Sequence, residues 1–149
     1  MKTLKFRVWE VKEKRMLLPY EDIYIHQNGK VYLFMGSAGI NSIWNKSDDF
    51  IIMQFTGLKD KNGIDIFEGD IVKIIWDIEK WSKRINPEIF EVKWDGYDDG
   101  EYVCNVECWM IGDNSLSDLL TYTDSFSHPK CVSVEVIGNI FENKDLLKD

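Results

Sequence analysis

The sequence predicts a mostly β fold in which an N-terminal β-hairpin region packs on a barrel-like second half, with one or two short helices. Three observations support this class. Apolar and polar residues alternate over many short segments, glycine-containing turns separate those segments, and few segments repeat apolar residues at helical spacing. With 149 residues, 44% of them hydrophobic, the chain is long enough to bury the core of one such domain.

Strand-like segments fill the N-terminal region, about residues 1–50. The segment LKFRVWEV alternates, which places Val8 on one face and Trp9 on the outward face with Lys5 and Arg7. Two further alternating runs flank Asn28-Gly29, a dipeptide typical of a tight hairpin turn. Residues 36–49 are polar and contain glycine, so they are expected to form a loop.

Two sharp bends mark the start of the second half, about residues 51–149. In the segment DKNG, an aspartate stands where its carboxylate can accept backbone N–H groups, and a glycine stands last, where a positive φ costs little. The segment EGD predicts a second bend before the strand IVKIIW. The predicted structural turn motif therefore consists of Asp60, Asn62, Gly63, Gly69 and Asp70.

Helical spacing is rare in this chain. Leucines recur at helical spacing in LSDLL, where Asp113, Asn114 or Ser115 could cap two or three turns, and the last residues could form a final turn. The N-terminal strands are too few to build a stable core of their own. We therefore expect one domain over residues 1–149, in which the two regions share a core.

Four blocks of sequence resemble the YopX family of phage and prophage proteins. They are FRVWE with KRM, then MQFTGLKDKNGIDIFEGDIVK, then VKWDG, and finally EVIGNIFENKDLL, in the order that the family has them. The resemblance implies a largely β fold with an SH3-like barrel in the second half, and a phage setting. It implies no active-site residues, because the family has no assigned biochemical role. Residues 96–131 lie between the blocks, so the resemblance does not define their path.

Charge is distributed unevenly along the chain, whose formal net charge is −8. Residues 1–30 carry seven Lys or Arg against four Asp or Glu, whereas residues 94–129 contain eight acidic residues and no Lys or Arg. Lys and Arg contacts to phosphate supply most non-specific affinity for nucleic acid. The composition therefore makes nucleic-acid binding an alternative rather than the leading hypothesis.

Two polar segments are candidate contacts for a partner. One is EKWSKRINPE, where a large aromatic residue stands among basic residues, as in many protein-binding loops. The other is an acidic turn within the span from Asp95 to Asp124, which contains acidic residues and no Lys or Arg. This turn could bind a basic partner. The candidate contact residues are Trp81, Lys83, Arg84, Asp98, Asp99 and Glu101.

The sequence predicts no catalytic, metal or cofactor site. Cys104, Cys108, His128 and Cys131 could be written as a zinc set, but Cys104 and Cys108 would lie about 13 Å apart in a strand, so buried thiols are the favoured interpretation. Neither His26 nor His128 has a nucleophile at a diagnostic spacing.

The leading functional hypothesis is a phage or prophage accessory protein that is not an enzyme and binds protein, as a homo-oligomer. One alternative is a nucleic-acid-associated small barrel that uses its basic N-terminal strands and the Trp81 segment. Another is a small enzyme or metal-binding protein. The start MKTLKFRVWE carries charge where a signal peptide is apolar, and the three cysteines are expected to remain thiols. We therefore expect the protein in the cytoplasm of the bacterial host, with no membrane contact.

Overall fold

A computed structural model of the chain describes residues 4–17, 23–27, 31–37, 40–45, 49–76, 87–97, 106–112, 114–121 and 131–147. The described strands pair antiparallel throughout, which confirms the predicted mostly β class. The strands are β1 Phe6–Glu10, β2 Arg15–Met16, β3 Ile23–Ile25, β4 Val31–Ser37, β5 Ile40–Asn45, β6 Phe50–Lys59, β7 Asp65–Phe67, β8 Asp70–Trp76, β9 Glu88–Tyr97, β10 Val106–Ile111, β11 Asn114–Ser115 and β12 Cys131–Asn139. An α-helix, α1, spans Leu116–Thr121, and a 3₁₀ helix spans Lys144–Leu147.

The chain divides into two compact units, and the boundary falls within β6. One unit is Lys5–Gln54, and the other contains Phe55–Asp149. That the two regions share a single core stays a prediction. Neither of the described helices has the length and apolar character that crossing a membrane requires.

The N-terminal unit contains two groups of strands. β1 lies between β2 and the first half of β6, and β4 lies between β3 and β5. The pairing of β3 with β4 agrees with the hairpin predicted around residues 28 and 29, although those two residues lie outside the described part of the chain. Of residues 36–49, which were expected to form a loop, residues 36 and 37 instead belong to β4 and residues 40–45 form β5. Every residue of β5 pairs with β4, and this pairing supplies hydrogen bonds that outweigh the low strand propensity of Asn and Ser in this segment.

Strand β1 is buried on both faces at its centre. Val8 is 2% exposed and Trp9 is 6% exposed, although adjacent residues of a strand point to opposite faces. The expectation that Trp9 faces outward is therefore wrong. Trp9 pairs with Met16 on one side and Ile51 on the other.

The second unit is built on a five-stranded sheet in the order β11-β10-β9-β8-β12. Its antiparallel strands curl into a half-barrel, as expected for a small barrel fold. Two irregularities in the pairing of β12 with β8 help this curvature, because a β-bulge bends its strand and increases the local twist. The buried core of this unit consists of Ile66, Val72, Ile74, Trp76, Val92, Ile111, Leu116 and Val134.

The alternation predicted for IVKIIW places Val72, Ile74 and Trp76 in this core. The predicted short helix is α1, which begins directly after the buried Ser115. Its first residue, Leu116, is fully buried, while Leu119 and Leu120 pack against the core from a half-buried position. These leucines fix α1 against the half-barrel because three-and-four-residue spacing places them on one side of the helix.

Candidate functional site

The six residues proposed as partner contacts, namely Trp81, Lys83, Arg84, Asp98, Asp99 and Glu101, all lie outside the described residues. Their assignment therefore remains a prediction. The five residues of the predicted turn motif are all described, and they form two connected turns in the second unit.

The first turn is closed by the carboxylate of Asp60, a residue only 6% exposed. One oxygen, Oδ1, accepts the backbone N–H groups of Asn62 at 2.8 Å and Ile64 at 2.9 Å. The Asp60 carbonyl also accepts the N–H of Gly63 at 3.0 Å, the hydrogen bond of a tight turn. Gly63 has a φ of 80°, the left-handed conformation that the turn prediction requires at this position.

The same side chain also reaches a distant strand. Oδ2 of Asp60 accepts the N–H of Val136 on β12 at 3.1 Å, and the N–H of Lys61 donates to the Val134 carbonyl at 3.0 Å. The turn between β6 and β7 is therefore attached to β12 by two hydrogen bonds. No feature of the local sequence indicates this attachment, because Asp60 and Val136 are separated by 76 residues.

These contacts change the acidity of Asp60. Burial raises the pKa of the carboxyl group, while hydrogen bonds from the N–H groups of Ile64, Val136 and Asn62 lower it, and the net result is a pKa below the ordinary value. The carboxylate is consequently ionised at neutral pH and fully engaged by backbone donors. Asp60 holds backbone segments together and leaves little acceptor capacity for other chemistry.

Gly63 is expected to be sensitive to substitution because of its backbone conformation alone. An added Cβ would meet no atom within 4 Å, so at the Cβ the strain comes from the φ of 80° and not from crowding. We expect Gly63→Val to lower the free energy of unfolding by about 1 kcal/mol or more. Gly63→Asn is the matched control and should lose less, since Asn tolerates this conformation. Chemical denaturation of the three proteins measures the difference, and equal stability of the Val variant and the parent would contradict it.

The second turn connects β7 to β8. The Asp70 carboxylate, fully buried, accepts the N–H of Phe67 at 2.8 Å, and Gly69 has a φ of 73°. The backbone of Gly69 donates to the Val92 carbonyl at 2.8 Å and accepts the N–H of Ile140 at 2.9 Å. This bend therefore joins β9 and the segment after β12 to the start of β8.

A third turn, which the sequence analysis did not single out, follows β12. Asn139 is 6% exposed, and its Oδ1 accepts the N–H groups of Phe141 and Glu142, both at 3.0 Å. Its own N–H donates to Oδ1 of Asn143 at 3.2 Å. The signal that could have predicted this turn is the pair of asparagines in GNIFEN, since Asn side chains commonly accept N–H groups two residues ahead.

A small cluster of charges lies beside the first turn. Oε2 of Glu135 is 2.9 Å from Nζ of Lys61 and 2.9 Å from Nζ of Lys73, which faces it from the neighbouring strand β8. Hydrogen bonds from Lys73 and then Lys61 lower the pKa of Glu135 to about 2. Exposed ion pairs of this kind contribute little to stability, but they keep the Glu135 carboxylate charged.

An aromatic pair lies on two neighbouring strands of the half-barrel. Trp94 on β9 and Trp109 on β10 are cross-strand neighbours, with ring centroids 4.8 Å apart and ring planes at 77°. Trp109 also packs against the core, whereas Trp94 is 48% exposed. The sequence analysis gave greater weight to Trp81, because that residue stands in a polar segment. The exposure of a tryptophan within a strand, such as Trp94, depends on what packs over it and cannot be read from the strand pattern.

The described cysteines are separate thiols. Cys108 on β10 has its Sγ 3.4 Å from Sδ of Met110, and Cys131 on β12 is half-buried against the core. Burial raises the pKa of the Cys131 thiol, an effect that a hydrogen bond from the Ser133 backbone opposes. Within the described ranges no three His, Cys, Asp or Glu side chains are close enough to hold a metal ion. The other two members of the possible zinc set, Cys104 and His128, lie outside those ranges.

Two of the basic residues near the N-terminus make contacts within their own unit. Nη2 of Arg7 lies 3.8 Å from Sδ of Met53, and Nη2 of Arg15 lies 2.9 Å from a carboxylate oxygen of Glu10. The basic N-terminal segment is therefore only partly available to an external anion.

Solved structures of similar proteins share this architecture. Protein EF1440 from Enterococcus faecalis is 28% identical in sequence with a TM-score of 0.55, and the alignment covers 99% of this chain and 100% of that one. Protein YopX from Bacillus subtilis is 20% identical with a TM-score of 0.58, over 99% of this chain and 100% of that one. At this lower identity the likeness supports the fold alone.

Sequence comparison agrees with the structural likeness. No curated protein matches the chain significantly. A family described as YopX protein matches residues 5–148, which is nearly the whole length. The match includes both turns of the predicted motif and all of the described strands. The chain therefore belongs to the YopX family.

Proposed function

We propose that this protein is a phage or prophage accessory protein that acts in the host cytoplasm by binding another protein, as a homo-oligomer and without catalysing a reaction. The observation that carries the proposal is the half-exposed Trp94, which rests edge-on against Trp109. Tryptophans held in a fixed orientation by a neighbour are frequent centres of protein interfaces, because they bury a large area while losing little conformational entropy.

The buried carboxylates support a structural rather than a catalytic use of charge. Asp60 and Asp70 both accept backbone N–H groups at turns, and these contacts account for their position inside the protein.

The acidic span between Asp95 and Asp124 suggests the charge of the proposed partner, because acidic residues attract a basic surface. A basic protein, such as one whose nucleic-acid site the acidic span would cover, is the complementary partner, and such complementarity mainly raises the association rate.

The test begins with an affinity pull-down from infected host cells to identify the partner, which is then purified. Trp94→Ala is expected to weaken binding of that partner about tenfold or more, as for a tryptophan at the centre of an interface. Ile89→Ala is the matched control, because Ile89 is a similarly exposed residue on the same strand, 38% against 48%. Equal affinity of the Trp94 variant and the parent, with an unchanged melting curve, would remove Trp94 from the interface.

The acidic span is tested separately. Reversal of Asp98, Asp99 and Glu101 to Lys is expected to slow association with the same purified partner and to weaken its dependence on salt. Capture that is unchanged in amount and in salt dependence would contradict the acidic docking face. Tight binding of single-stranded DNA that weakens steeply as salt rises would instead favour the nucleic-acid alternative.

A further inference from the structure

Strand β12 is one of the two outermost described strands of the five-stranded sheet, so one of its long edges faces away from β8. An edge of this kind presents backbone N–H and C=O groups that can pair with a strand from another molecule. In this protein two of those groups already have partners. The carbonyl of Val134 accepts the N–H of Lys61 at 3.0 Å, and the N–H of Val136 donates to Oδ2 of Asp60 at 3.1 Å.

The turn that supplies both partners is rigid for local reasons. Asp60 binds the N–H groups of Asn62 and Ile64 with its other oxygen, and Gly63 supplies the left-handed φ of 80°. The turn therefore keeps its shape independently of its contact with β12. A preformed turn loses little conformational entropy when it occupies the edge, so it competes effectively with an incoming strand.

We propose that the turn Asp60–Gly63 guards the outer edge of β12, and that opening this guard exposes a docking edge for the same strand of a second copy of the chain. The two groups that the turn satisfies are the carbonyl of Val134 and the N–H of Val136. They are also the acceptor and the donor that two antiparallel copies of β12 exchange when Val134 of one lies opposite Val136 of the other. The pairing is consequently self-complementary, as a symmetric dimer requires.

Charge on the same strand adds to the guard. In that register the two Glu135 side chains lie directly opposite one another, and like charges in this position disfavour pairing. Lys61 and Lys73 each lie 2.9 Å from Glu135 and favour its ionised form. The guard therefore combines two occupied backbone groups with a charged side chain at the centre of the edge.

The sharpest test removes one backbone donor and keeps the turn. Proline is favoured at the second position of a tight turn, which Lys61 occupies, and it has no N–H group. Lys61→Pro therefore removes one of the two hydrogen bonds that hold the turn on β12 and frees the carbonyl of Val134, while the turn itself can still form. Lys61→Ala is the matched control, since it removes the same side chain and the same ion pair with Glu135 but keeps the N–H.

Sedimentation or light scattering over a series of protein concentrations measures the result. The mean mass of Lys61→Pro is expected to rise with concentration toward twice that of the parent, while Lys61→Ala keeps the mass of the parent. Circular dichroism checks that both variants are folded. Should Lys61→Pro fail to fold, Asp60→Asn opens the same edge through its second contact, because its amide keeps one acceptor oxygen for the turn and places an N–H group against the N–H of Val136. It is measured in the same way.

A further variant locates the contact on β12. Adding Glu135→Gln to Lys61→Pro removes the opposed charges and is expected to increase association several-fold. Parent-like mass for every folded variant would overturn the proposal. Association that Glu135→Gln leaves unchanged would place the contact on another edge and would overturn it equally.

Discussion

Asp60→Ala is expected to lower the free energy of unfolding by about 3 kcal/mol, the largest loss that we predict for this protein. The substitution removes the acceptor of three backbone N–H groups, those of Asn62, Ile64 and Val136. Water can reach the first two positions in the exposed turn, whereas the bond to Val136 also holds the turn on β12. Its loss therefore weakens a tertiary contact as well as the turn, which raises the cost above that of a single exposed hydrogen bond. Denaturant titration of the two proteins at neutral pH measures the loss.

Asp65→Ala is the control for this experiment. It removes a carboxylate from the same hairpin, one that forms an ion pair with the exposed Lys59. Its loss is expected to stay below about 1 kcal/mol, as for an exposed ion pair. A loss for Asp60→Ala no greater than that of the control would show that the link to β12 adds nothing to stability.

The dependence on pH provides a second measurement on the same variant. The pKa of Asp60 is lower in the folded protein than its ordinary value of 3.8, so the folded state binds the proton more weakly than the unfolded state. The stabilisation is therefore fully present above that ordinary value, and it is lost as the pH falls through the lower, folded-state pKa. The difference in stability between the parent and Asp60→Ala should be constant near neutral pH and should shrink below about pH 4. A difference that stays constant into acid would contradict the role of the ionised carboxylate.

The second large effect is expected for Gly138→Ala, with a loss of about 2 kcal/mol. A Cβ at this position would lie 2.5 Å from Oδ1, 2.7 Å from Cγ and 2.8 Å from Cβ of Asn143. Rotation of the Asn143 side chain would not relieve the last contact, because Cβ is attached directly to the backbone. The turn after β12 would have to shift, and the hydrogen bond from the Asn139 N–H to Asn143 would weaken.

A double-mutant cycle tests this cause. Asn143→Gly removes all three contacting atoms, so Gly138→Ala should cost markedly less in the Asn143→Gly background than in the parent. Thermal or chemical unfolding of the four proteins gives the coupling energy. Strictly additive losses would show that the strain of Gly138→Ala arises elsewhere.

Parts of the fold were predictable from local sequence because their causes act over a few residues. The turn at Asp60 and Gly63 follows from a short acceptor side chain and a residue that tolerates positive φ. The core-facing positions Val72, Ile74 and Trp76 of β8 follow from their two-residue spacing, and α1 follows from leucines at helical spacing. The YopX resemblance is confirmed over nearly the whole chain. It could be recognised from the sequence because its motifs consist largely of these local signals.

Predictions about the candidate contact residues depended on which side chains are exposed to solvent. This property was the hardest to predict from the sequence. Trp9 was expected to face outward and is buried, whereas Trp94, in a similar alternating strand, is half-exposed. The alternation of a strand defines two faces but does not state what covers each of them. The contacts proposed for Trp81 and for the acidic residues around Asp98 lie outside the described residues, and they remain predictions.

The sequence by itself determined the class of the fold, the positions of the turns at Asp60 and Gly69, and the family to which the chain belongs. Only the tertiary structure decided which edge of the sheet the Asp60 turn occupies, that residues 40–45 form a strand, and that Gly138 must leave room for Asn143. The reason is the range of the forces. Turn preferences act between neighbouring residues, whereas a strand edge, a buried face and a close approach each depend on segments brought together from distant parts of the chain.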